Sequence, residues 1–386
     1  MGNNVRSRCL SVLDSAWVAN PGYTSPNRRQ YPWQWLWDSC FQAIAWGALG
    51  DRRAVIEMET LFSGMLKSGF LPNTLFHNKP WAGWWIWRVR GHSTITQPPM
   101  YGHALRVLHD SGFAVDHLLQ PASTALHHLI DSRMDAATGL VKVVHPWETG
   151  CDDSPRWSRW MRFGYHREFW NITKYRLARS MRVVAGEGVA NGKFEVCPAS
   201  FNALVAFNAL ELAALTGDDG LAAKARGIAR SLEALWRPEL RTWADVFPGS
   251  GKDSSAVPTL EAFLPLLVVS NPEQVEAAWA HLMSTAAFRR PRGFAGVSIA
   301  EPSYRSNGYW RGGCWPQICY LLCVAAIRRQ RPELSTIREL TVRGILGSDL
   351  SEYWDPETGA ACGAKPQSWS AILVTLAAEQ SRLEKG

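Results

Sequence analysis

The chain has 386 residues, 46% of them hydrophobic and 19% charged, with 20 tryptophans and a formal net charge of +7. That is ample for a sizeable core, and barrel folds of this length form one unit. The positive charge gathers only in two short runs, R-R-P-R at 289–292 and R-R-Q-R at 328–331; both flank helix ends, read as solvated surface, and exclude a nucleic-acid stripe.

Taken in order, the chain opens on M-G-N-N-V-R-S-R-C-L, which lacks the apolar run of a signal peptide. No later stretch is expected to span a bilayer, so a cytoplasmic protein with no membrane partner is expected. Apolar residues then recur at helical spacing near 3–18, 37–49, 52–67, 99–111, 116–134, 166–186, 199–215, 220–236, 257–268 and 335–347. Asn271, Pro272 and Gln274 form a helix start that leads into the stripe Val275, Ala278, Trp279, Leu282 and Met283. Similar stripes run through Ile318, Leu321, Leu322 and Ala325, and through Trp369, Ile372, Leu373 and Leu376. No comparable set of alternating strands appears, so the fold class is all-α with about a dozen helices.

The connections are uneven. Gly217, Asp218 and Asp219 make a short one, whereas 69–98, 136–165, 237–256, 287–311 and 349–367 are long and rich in Trp, Gly, Pro and charge. This alternation suits a barrel of helical hairpins with the long loops gathered at one end. No linker or repeat divides it, so a single domain over 1–386 is expected. Eight cysteines without C-x-x-C or His/Cys spacing give no metal site, and no cofactor is expected. Cys40, Cys319 and Cys323 sit in apolar helical runs as small hydrophobes. The oligomeric state is left open, a homo-oligomer included.

Five stretches carry chemistry. Residues 31–39 read Y-P-W-Q-W-L-W-D-S, with Tyr31, Trp35 and Trp37 as sugar platforms and Asp38 as either a hydroxyl partner or a helix N-cap. Gln97 precedes two prolines and closes a loop holding Trp81, Trp84, Trp85 and Trp87; its amide can both donate and accept. Residues 145–157 read H-P-W-E-T-G-C-D-D-S-P-R-W, in which Pro146, Gly150 and Pro155 rule against continuous helix and three acids lie beside Trp147 and Trp157. Residues 309–316, Y-W-R-G-G-C-W-P, place Tyr309, Trp310 and Trp315 around two glycines. Residues 352–359 read E-Y-W-D-P-E-T-G, with Glu352 among aromatics just before a turn.

Acids beside indole faces fit glycoside hydrolysis, where one carboxyl protonates the leaving oxygen and another attacks carbon or activates water. Spacing does not choose among Glu148, Asp152, Asp153, Glu301, Glu352 and Glu357. Two rivals are a sugar isomerase or epimerase using His145, His166 or His281, and a sugar-binding protein without chemistry.

At these five stretches the sequence resembles glycoside hydrolase family 63 and, more distantly, the trehalases of the same clan. The family's W-E-S-G-x-D-N-S-P-R-W loop falls on 147–157, W-x-W-D on 35–38, Q-P-P on 97–99 and Y-W-R-G-P-x-W-P on 309–316. Its E-Y-Y-x-P-x-T-G segment, continuing to S-W, falls on 352–369 with Trp354 in place of a tyrosine. The resemblance implies an (α/α)6 barrel and an inverting mechanism, with Asp152 as general acid and Glu352 as general base, roughly 6.5–9.5 Å apart. Substrate contacts are expected from Tyr31, Trp35, Trp37, Asp38, Gln97, Trp147, Arg156, Tyr309, Trp310 and Trp315.

There are departures. Asp153 replaces the family's Asn and is expected to face solvent; Gly313 replaces Pro, Cys319 replaces Asn and Cys197 replaces Asp. The last three motivate the non-catalytic rival. The compact chain is similar in build to bacterial enzymes that hydrolyse mannosylglycerate and glucosylglycerate, so a small glucosyl or mannosyl conjugate is the expected substrate. A trehalase-like action on a neutral disaccharide is the alternative. Arg156, Arg305, Arg311 and Lys365 are candidates for holding a substrate carboxylate.

Overall fold

The computed structural model describes residues 2–161, 164–248, 253–255 and 257–377. Parts of the loops at 136–165 and 237–256 lie outside the described residues.

Six segments form a closed inner ring: Leu36–Ala48, Tyr101–Asp110, Ala199–Thr216, Leu260–Leu267, Pro316–Arg328 and Ser368–Ala377. Each packs on the next, and the last packs on the first. Six outer helices back them: Gly2–Ala16, Arg53–Ser63, Asp116–Arg133, Asp219–Glu233, Pro272–Leu282 and Leu334–Gly347. The first of these packs on Ser368–Ala377, so the two ends of the described chain close the barrel. The architecture is an (α/α)6 barrel.

Composition separates the two rings. The inner helix Leu36–Ala48 buries every residue from Leu36 to Gly47. The outer helix Asp219–Glu233 buries one stripe, Leu221, Ala225, Ile228 and Leu232, and leaves its charged face to solvent. Helix starts follow local chemistry: the Asn271 side chain accepts from the Gln274 amide, and that of Asp218 from Leu221. Leu260–Leu267 is 3₁₀ rather than the expected α-helix; Pro265 within it has no N–H for an α-helical bond.

One expectation is refined and another corrected. Short antiparallel ribbons of two or three residues do occur, commonly at the C-terminal ends of outer helices, as at Met134–Asp135 with Leu140–Val141 and Tyr353–Trp354 with Ala361–Cys362. They are too short to show alternation. Ala199–Thr216 is also long and apolar enough to cross a membrane, yet 78% of it is buried within the barrel.

The connectivity positions the site. Connections from an inner to the next outer helix are short, such as residues 49–52 and 217–218. Connections from outer to inner helices are long and carry all five motif stretches. Two further helices, Trp84–Trp87 and Arg167–Ser180, lie within these loops and pack on each other.

Candidate active site

A cleft of about 480 Å³ opens among the long loops. Tyr31, Trp35, Trp37, Asp38, Gln97, Trp147, Asp152, Tyr309, Trp310 and Glu352 all line it. These residues come from five connections and the first turn of the helix Leu36–Ala48.

Glu352 is held at both oxygens. Its Oε2 accepts from the Ala364 amide at 2.7 Å and its Oε1 from the Tyr31 hydroxyl at 3.2 Å. Burial pushes its carboxyl up to about 7, against the lowering effect of those hydrogen bonds. A turn with left-handed Gly363 makes this seat, since any side chain there would strike the carboxylate.

Asp152 follows the 3₁₀ turn Pro146–Thr149, which Gly150 ends at φ 73°. A Cβ on Gly150 would stand 2.5 Å from the Trp37 indole, so glycine lets the acid loop lie against that ring. Burial raises the Asp152 carboxyl to about 6, opposed by Lys174 and assisted by Asp153. Asp38 is raised well above its usual value, first by burial and then by Glu352. It is no N-cap: Trp35 holds that position, and no side chain caps the helix.

The aromatic walls are built in layers. Trp310 has φ 54°, a strained left-handed conformation for a tryptophan. Its ring stacks on Trp315 at 3.7 Å and 5°, and Trp315 stacks in turn on Tyr353 at 4.6 Å. Trp35 Nε1, Trp310 Nε1 and Gln367 Oε1 are buried on cleft-lining residues without a hydrogen-bond partner. Buried polar atoms without partners are costly, and a sugar hydroxyl would satisfy each of these.

Two expected contacts are absent. Trp315 does not line the cleft; it supports Trp310 from behind. Arg156 is 4% exposed, with Nη1 2.9 Å from both Asp245 oxygens and Nη2 3.1 Å from Glu261. It ties the acid loop to the barrel wall instead of meeting substrate. The other carboxylate-holding candidates are engaged away from the cleft as well. Arg311 donates to the Asp153 carbonyl, Arg305 to the carbonyls of Pro302 and Tyr304, and Lys365 pairs with Asp349.

Among the remaining acids, Glu148 accepts from the amides of Thr96 and Val144, and Glu357 pairs with Arg290. Neither lines the cleft, nor does Glu301. Among the described residues no histidine lines it, and His145, His166 and His281 are not among the lining residues. His145 is buried, its ring pushed down to about 3 by desolvation. Cys197, Gly313 and Cys319 also lie outside the lining. Asp153 overturns an expectation: it is 1% exposed and pairs with Lys174.

The helix expected near 166–186 is Arg167–Ser180, but sequence reasoning missed that it brings Arg167, Asn171, Lys174 and Tyr175 to the cleft. Its signal was present: the buried stripe Trp170, Lys174, Ala178 places a lysine where an apolar residue belongs. Gln367 and Trp369 join the lining from the last motif, and Trp33, Phe76, Ile86 and Trp87 from the first two connections.

The chain is similar to known proteins over most of its length. Mannosylglycerate hydrolase of Thermus thermophilus is 28% identical over 91% of this chain and 95% of its own length. Mannosylglycerate hydrolase of Rubrobacter radiotolerans is 29% identical over 94% of each chain. The crystal structure of the GH63 mannosylglycerate hydrolase from Thermus thermophilus in complex with Tris and D-glycerate superposes with a TM-score of 0.84, at 24% identity, over 97% of this chain and all of that one. The protein is therefore a glycoside hydrolase on an (α/α)6 barrel. Within that class, the model of the mannosylglycerate hydrolase MGH1-like glycoside hydrolase domain matches residues 31–370, and the chain belongs to that family.

Proposed function

We propose that the cleft hydrolyses the glycosidic bond of a glucosyl or mannosyl conjugate of glycerate, with inversion, Asp152 acting as general acid and Glu352 as general base. The observation that carries this reading is two desolvated carboxyls, Asp152 and Glu352, lining one tryptophan-walled cleft. In the reaction the Asp152 proton passes to the glycosidic oxygen as the C1–O bond breaks. Glu352 takes a proton from a water that attacks C1 from the opposite face. Trp35, Trp310 and Gln367 supply the unpaired polar atoms for the sugar hydroxyls, and the indole faces take its ring.

Arg167 supports a carboxylate-bearing leaving group. It is exposed, lines the cleft and lies with its guanidinium 5.2 Å from the Tyr309 ring centroid. Lys174, the other cation in the lining, is already taken by two aspartates. Relatives named for mannosylglycerate and glucosylglycerate set the substrate class. We place the reaction in one domain and in a reducing cytoplasm, consistent with eight free cysteines.

The test is proton NMR of glucosylglycerate and mannosylglycerate incubated with the protein. An α-linked substrate should release the β-sugar first. Release of the α-anomer first would exclude inversion, and turnover of trehalose with neither glycerate conjugate touched would exclude the substrate class.

A further inference from the structure

Asp152 is gripped from one helix at two points. Trp170 Nε1 donates to its carbonyl at 2.8 Å, and Lys174 Nζ lies 2.5 Å from its Oδ2. The same ammonium lies 2.5 Å from Asp153 Oδ1. Asp153 Oδ2 accepts from the Tyr165 hydroxyl at 2.8 Å, and the Asp153 carbonyl accepts from Arg311, whose guanidinium stacks 4.1 Å from the Tyr165 ring. Lys174 is fixed from behind as well, because its carbonyl meets His145 Nε2 at 2.9 Å.

This arrangement answers a physical difficulty. A buried lysine paired to Asp152 alone would favour the carboxylate so strongly that little proton would be left to give. A second carboxylate on the same ammonium divides that attraction. After the proton has gone, the new Asp152 anion still has a cation beside it. Oδ2 is engaged by Lys174, which leaves Oδ1 to carry the proton toward the leaving oxygen.

We propose that Lys174 and Asp153 are positioning residues, a charge-balanced pair that fixes Asp152 while leaving it able to act as the acid. The inference rests on the reading of Asp152 given above. Other groups also face the pair: Glu352, Tyr31 and Tyr309 on the Asp152 side, and Tyr353, Arg167 and Arg311 on the Asp153 side. All of them remain in the variants below, so a shift there belongs to the pair.

The experiment follows the Asp152 carboxyl directly, by ¹³C NMR titration of protein labelled at aspartate carboxyls. Its signal is assigned as the one lost in Asp152→Asn. Asp153→Asn should move the Asp152 midpoint down by about one pH unit, and Lys174→Met should move it up by a similar amount. The double variant should return close to the starting value. A merely structural role gives no such opposed and cancelling shifts. The limb of the kcat/KM profile that follows Asp152 should move with each midpoint.

Lys174→Gln substitutes for Lys174→Met if thermal melting shows the latter unfolded. Unmoved midpoints, or two single variants shifting the same way, would overturn the pairing. Full turnover by Asp152→Asn would instead sink the assignment of the acid, and the NMR result would stand apart from it.

Discussion

Gly363 and Glu352 form a lock and its seat: a Cβ on the glycine would stand 2.3 Å from the Glu352 Oε2. Gly363 also has φ 71°, so alanine would be strained there even without the clash. Gly363→Ala should displace the carboxylate from the Ala364 amide and lower kcat by about a hundredfold, the usual scale of a lost general base. Gly217→Ala is the matched control, with the same φ of 71° and nothing within 4 Å of its Cβ. It should lower the melting temperature and leave kcat alone. Equal kcat losses in the two variants would argue against a special role for the seat.

The two raised carboxyls set a pH window. Asp152 sits near 6 and Glu352 near 7, both pushed up mainly by burial. The productive form has one proton, on Asp152, and an ionised Glu352. That form competes with the one in which the single proton sits on Glu352. Below about 6 both groups are protonated and Glu352 cannot take a proton from water; above about 7 neither has one to give. A plot of kcat/KM against pH should therefore be a bell between those values, with limbs that belong to the pair. A profile flat from 5 to 9 would contradict both assignments.

Burying Glu352 also costs stability in a predictable direction. Its folded value is raised, so its contribution is fully present below about 4.5 and is lost as pH rises through about 7. Glu352→Gln keeps an acceptor for the Ala364 amide and removes the charge. It should be more stable than the native protein at pH 8, by on the order of 1–3 kcal/mol, with the gap closing near pH 4. Its kcat should fall about 100- to 10,000-fold. Denaturant melts at the two pH values decide it; a gap that widens on acidification has the wrong sign.

Much of this architecture was legible in the sequence because it rests on local rules. Periodic apolar stripes marked most of the helices, and all five aromatic and acidic stretches fell in connections that lead from an outer to an inner helix. What was not legible depends on partners far along the chain. Arg156 looked like a substrate contact because its partners lie far along the chain, Asp245 in a later connection and Glu261 on the inner segment Leu260–Leu267. Asp153 looked solvent-facing because its partner Lys174 lies on the next helix, and only the fold brings the two together. Arg167 was missed for the same reason, since only the fold of the helix over the cleft brings it there.

The buried Arg156 gives a stability prediction in place of the binding role first expected. Removing its guanidinium leaves Asp245 and Glu261 as adjoining buried carboxylates, both already raised by burial. Arg156→Met should cost about 3–5 kcal/mol in urea melts near neutral pH. The loss should shrink at low pH, where the two stranded acids protonate. A substrate contact would instead raise KM and leave the melt unchanged.

Arg167 carries the choice of substrate. Among the described residues no ion pair holds its guanidinium, and it borders the same cleft as Asp152. A charge-assisted hydrogen bond to a carboxylate contributes about 1.5–3 kcal/mol, equivalent to roughly a ten- to hundredfold change in binding. Arg167→Gln should raise KM for a glycosylglycerate by that factor. It should leave KM for a neutral α-glucoside of similar size within about twofold, because the sugar contacts are untouched. Added salt should weaken glycerate binding to the native protein and have little effect on the variant. Equal KM changes for the acidic and the neutral substrate would show that Arg167 shapes the cleft without reading the carboxylate.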